Sequence, residues 1–127
     1  MSVTYNIIQR GEPGVAGGGT KKYYASSVTN NTIGIEELTT EIAKLSTVNG
    51  ADISAVLYGI VEVLPQLLSK GNSIQLGDLG YFRVGISSKP SDTEEEVNAT
   101  NIRRSKVLFR PGRKIGTMLK ALTFKKA

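Results

Sequence analysis

Apolar positions along this chain keep two different rhythms, and the change between them predicts its elements. From Gly34 onward, Ile35, Leu38, Ile42 and Leu45 recur three and four residues apart, the spacing of one helical face. Glu36 and Glu37 fall in the first turn, where the helix dipole favours acids, and Gly34 is an acceptable N-cap. After a turn at Ser46–Asn49, Ile53, Val56, Leu57, Ile60, Val61, Leu64, Leu67 and Leu68 predict a second, longer helix. Its stripe is wider than one short helix can cover. Pro65 should bend it, and Gly71 should end it.

The period then shortens to two. In "SIQLGDLGYFRV", Ile74 and Leu76 share one strand face and Phe82 and Val84 another, with a tight turn between Gly77 and Gly80. Tyr81 and Arg83 point the other way. Residues 87–101 are polar and predict a loop or hairpin tip. In "IRRSKVLFR", Val107 and Phe109 are expected in the core, on the side of Arg103 and Ser105. That leaves Arg104, Lys106 and Arg110 on the open face with Ile102 and Leu108. Past Pro111-Gly112, the residues Ile115, Met118, Leu119 and Leu122 predict a short helix.

Residues 1–33 read differently. "VTYNII" and "KKYYASSV" suggest two strands, joined by the flexible glycine loop "GEPGVAGGG". That loop mimics a phosphate-binding loop without being one: Gly19 is followed by Thr20 and then Lys21, not by Gly-Lys-Ser/Thr after a strand. The division expected is therefore an extension over 1–33 and a domain over 34–127.

Charge sharpens the picture. The net +5 is uneven: residues 101–127 hold nine basic side chains and no acid, against seven basic and eleven acidic in the first hundred. Such asymmetry speaks to partners rather than to fold. Basic residues on a strand are usually only a solvated face. Here Arg83 extends the row to the next strand, and the Pro-Gly step delivers a helix start whose amides, with Arg113 and Lys114, suit a phosphate. The pattern favours a polyanion. Asp92, Glu94, Glu95 and Glu96 oppose it: they read as a solvated loop, or as acids that mask or repel at the basic surface.

The chain has no cysteine and no histidine, which removes disulfides, thiol chemistry and the commonest general base and metal ligand. No enzyme, metal or cofactor is expected. The first residues lack a signal-peptide pattern, and no run approaches the roughly 18 apolar residues of a membrane span, so a cytoplasmic location is expected. Tyr23, Tyr24 and Tyr58 suit stacking platforms, but core or interface packing is the commoner fate of such residues.

Helix-turn-helix, then "KGNSIQLGDLGYFRV", then "FRPGRKIGTMLKAL" resembles the bacterial histone-like HU and integration host factor family over residues 34–122. The N-terminal extension is similar to that of extended HU-related proteins typical of Bacteroides-like bacteria. The resemblance implies an α+β fold: two helices, a three-stranded antiparallel sheet with an arm-like hairpin, and a short C-terminal helix, here with an N-terminal β extension. It implies a homodimer that binds double-stranded DNA in the nucleoid without membrane or small-molecule substrate. Arg83, Arg104, Lys106 and Arg110 would form the saddle, joined by Arg103 and by Lys89 of the arm, with Gly112, Arg113 and Lys114 holding phosphate. The sequence departs at residues 85–101, which carry Lys89-Pro90 and four acids instead of the family's basic arm and Asn-Pro tip. Weak, salt-sensitive, sequence-independent binding is therefore expected. Two alternatives stay open: an HU-like assembly module with reduced DNA affinity, and an RNA-binding protein.

Overall fold

The computed structural model describes residues 2–127 and is α+β. Its elements are β1 (Ser2–Arg10), β2 (Lys22–Ser27), α1 (Ile35–Leu45), α2 (Gly50–Ser69), β3 (Ile74–Gln75), β4 (Gly80–Ser88), β5 (Ile102–Pro111), α3 (Arg113–Ala121) and β6 (Thr123–Lys126). They form two compact units. One holds the residues up to Ile33 together with Met118–Ala127; the other is Gly34–Thr117.

In the larger unit, α1 and α2 pack together, and α2 also packs on β3 and β4. The Asn49 side chain accepts from the Asp52 amide at 2.9 Å and so caps α2. The helix runs through Pro65, and Gly71 follows with φ 85°. The sheet order is β3-β4-β5, antiparallel throughout. Among the described residues only Ile53 and Leu68 are buried hydrophobics, each 7% exposed. Val107 and Phe109 do lie on the apolar side of the sheet, yet they are 57% and 44% exposed, which corrects their expected place in a core. One copy of this unit does not cover its own apolar surface.

α2 is twenty residues long with mean hydropathy 1.4 over its most apolar stretch, long and apolar enough to cross a membrane by length and composition alone. Glu62 stands near its middle, and its flanks pack on α1, β3 and β4.

The smaller unit is a three-stranded sheet in the order β2-β1-β6, with β1 antiparallel to β2 and parallel to β6. β6 went unforeseen: its run "TFKK" is too short and basic to stand out as a strand, and α3 is consequently not the last element. The glycine loop closes into a turn with a short 3-10 segment at Ala16–Gly18. The Gly18 amide donates to the Val15 carbonyl at 3.0 Å, and Lys22 lies 3.8 Å from Glu12.

Candidate nucleic-acid interface

β4 and β5 form the platform, and glycines set its geometry. Gly80 opens β4 with φ 146°, and a β-carbon there would fall on the Arg110 carbonyl oxygen. Phe82 and Phe109 face each other across the two strands, their rings 5.0 Å apart and tilted by 47°. This pair locks the register on the apolar side, and the pleat then dictates the other side.

On that other side Tyr81 faces Arg110, Arg83 faces Leu108, Gly85 faces Lys106, and Ser87 faces Arg104. Arg83 thus stands beside the one apolar position of the row, between Lys106 and Arg110. All four basic side chains are exposed. From Arg104 to Arg110 the row is about 20 Å long at strand spacing. Leu108 is half-buried, and its Cδ1 comes within 2.7 Å of where a Gly85 side chain would begin. Shallow hollows of about 340 and 360 Å³ lie among Tyr81, Arg83 and Arg110 and among Ser87, Arg104 and Lys106. Tyr81 was not counted among the site residues, although its alternation with Arg83 signals it; its hydroxyl accepts from Gln75 Nε2 at 3.4 Å.

Arg103 and Lys89 stand apart from the row. The ladder passes from Ser87↔Arg104 to Ser88↔Ile102, so Arg103 is the extra residue of a β-bulge. Lys89 lies beyond the last pair, at the root of the loop 89–101. There its amide donates to the Asn101 carbonyl at 2.7 Å. The loop folds on itself rather than reaching out as an arm. Asn101 Nδ2 donates to Ser91 Oγ at 2.8 Å, and Asn98 Oδ1 accepts from the Thr100 amide at 2.9 Å, closing two short 3-10 turns over Glu94–Glu96 and Ala99–Asn101. Among the described residues no salt bridge joins the acids of this loop to Arg104, Lys106 or Arg110.

The start of α3 also departs from expectation. The Gly112 amide donates to the Leu79 carbonyl at 2.9 Å, and the Lys114 amide to the Asp78 carbonyl at 3.1 Å. These two amides are spent on the β3–β4 turn and are not open to a phosphate. Gly112 serves that packing, since a β-carbon would strike the Asp78 carbonyl. What faces an open hollow of about 390 Å³ is Arg113, Lys114 and Thr117, with Asp78 beside them.

The family model described as an HU domain fused to wHTH, Ig, or glycine-rich motif matches residues 1–126. The chain belongs to this HU-HIG family. Its sheet, with basic and apolar residues on opposite sides, is thus the sheet of an HU domain. No curated protein matches the sequence. The fold is similar to a crystal structure from Bacteroides vulgatus ATCC 8482, of a protein provisionally named as bacterial DNA-binding. The TM-score is 0.66 at 12% identity. That likeness is one of fold. It covers 98% of this chain, which spans 48% of the other.

Proposed function

We propose that this HU-HIG domain binds double-stranded DNA without sequence preference, through phosphate contacts from Arg83, Arg104, Lys106 and Arg110. The observation that carries the reading is the β4–β5 register, which gathers on one side of a sheet four exposed cations that form no salt bridge among the described residues. The side chains of Arg113 and Lys114 extend the surface beyond the sheet. Contacts of this kind position the protein on the backbone without specifying sequence. The acidic loop carries Lys89-Pro90 in place of the family's Asn-Pro tip, and the reading is of backbone binding without sharp kinking.

The domain works as a homodimer in this reading. Val56, Ile60, Val63 and Leu67 of α2, with Ile74, line an apolar groove of about 330 Å³, and a second copy is the partner that would cover it. Membership of an extended, Bacteroides-like variant, a nucleoid and cytoplasmic setting, and the lack of catalysis or small-molecule substrate belong to the same proposal. Asp92 and Glu94–Glu96, at the end of the basic row, favour one competing reading, an assembly module with reduced DNA affinity. Binding to a labelled duplex of about 30 base pairs across a salt series separates the two. Affinity that falls steeply with salt supports DNA binding, and no binding at low salt supports the module.

A further inference from the structure

The two edges of the β2-β1-β6 sheet are unlike. The β6 edge carries Lys125 and Lys126, charges of the kind that keep an edge from pairing. The β2 edge reads "KYYASS", with no charge after Lys22. The Val28 amide donates to the Thr4 carbonyl at 2.8 Å, and the register continues that pair as Asn6↔Ser26, Ile8↔Tyr24 and Arg10↔Lys22. Backbone groups alternate in direction along an antiparallel strand. Tyr24 and Ser26 are therefore turned to β1, and Tyr23, Ala25 and Ser27 present their N–H and C=O groups to the open edge. The Ala127 amide donating to the Tyr5 carbonyl agrees with this phase, since odd positions of β1 face β6.

These open groups are complementary to themselves. We propose that the β2 edge pairs antiparallel with the β2 edge of a second copy of this chain, joining two sheets into one of six strands. With Ala25 on the two-fold axis, Ala25 faces Ala25 and Tyr23 faces Ser27 of the other copy. Every outward donor of the strand then meets an outward acceptor, and facing residues share a side of the sheet. Lys22 of one copy falls opposite Val28, clear of the other lysine. The side bearing Val3, Tyr5, Ile7 and Tyr23 becomes continuous across the axis. The contact goes beyond DNA binding and involves no residue of the basic row. Beside the α2 contact proposed above, a second two-fold contact links dimers into chains or rings.

Three single-residue variants of the whole chain test it. Ala25→Pro removes only an outward amide and is the kind of proline an edge strand tolerates. Ala25→Lys keeps the amide and sets two lysines face to face on the axis. Ala25→Cys introduces the chain's sole thiol, about 5.5 Å in Cα distance from its copy across a hydrogen-bonded pair. By sedimentation velocity over a hundredfold concentration range, the wild type should show one association step that the Pro and Lys variants lose while keeping its circular dichroism. A short bis-maleimide should cross-link Ala25→Cys into dimers, well above a Lys125→Cys control on β6. Unchanged sedimentation in a natively folded Pro or Lys variant, or cross-linking no higher than the control, overturns the proposal.

Discussion

The two faces of the β4–β5 ladder are built from adjacent residues and have opposite chemistry. Val84 faces Val107 and Phe82 faces Phe109 on one side; Arg83, Lys106 and Arg110 crowd the other. Neither face is finished within one chain. Among the described residues, the apolar side is short of cover, since only Ile53 and Leu68 are buried hydrophobics, and the basic side is short of counter-charge. In the reading proposed above, one pair of strands serves two interfaces, separated only by the pleat. The glycines at 80 and 112 and the Phe82–Phe109 pair hold both at once, because a slip of one residue would exchange the faces.

The comparison can be broken from the apolar side first. Val107→Glu places a carboxylate among the valines and phenylalanines. It should weaken self-association at least about tenfold, or ~1.4 kcal/mol; sedimentation equilibrium and the concentration dependence of Tm check this. Gly80→Ala attacks the register that both faces share. Its left-handed φ and the clash with the Arg110 carbonyl should cost about 1–3 kcal/mol in denaturant unfolding. Asn49→Ala removes only the α2 cap and should cost about 1 kcal/mol with DNA affinity per folded molecule unchanged. Smallest is Glu94, Glu95 and Glu96→Gln together: a few-fold gain in DNA affinity at low salt that fades as salt screens it, with Tm nearly fixed.

Much of this was legible because short periods are local. The α1 and α2 stripes, the caps Gly34 and Asn49, and the alternation that separates Arg104, Lys106 and Arg110 from Val107 and Phe109 are all written within a few residues. What escaped depends on distant partners. β6 exists because β1 offers it an edge, and nothing in "TFKK" announces that. The amides at the start of α3 looked open in sequence. Their acceptors, Leu79 and Asp78, lie over thirty residues away, beyond any local pattern. Arg103 alternates like its neighbours, and only pairing with Ser87 and Ser88 reveals the bulge that sets it aside. The loop 89–101 hid its order in Asn98 and Asn101, polar residues that could equally have faced water.

The central claim is that the basic face grips phosphate while the apolar face holds the protein together. Fluorescence anisotropy on a duplex of about 30 base pairs, wild type beside the Arg104/Lys106/Arg110→Ala triple variant over a salt series, tests it most directly. The wild type should bind, with log affinity falling linearly against log salt. The variant should keep its Tm, and its slope should be shallower by roughly 2.7 per protomer, about 0.9 for each lost phosphate contact. Equal affinity and equal slope in the two proteins would contradict it.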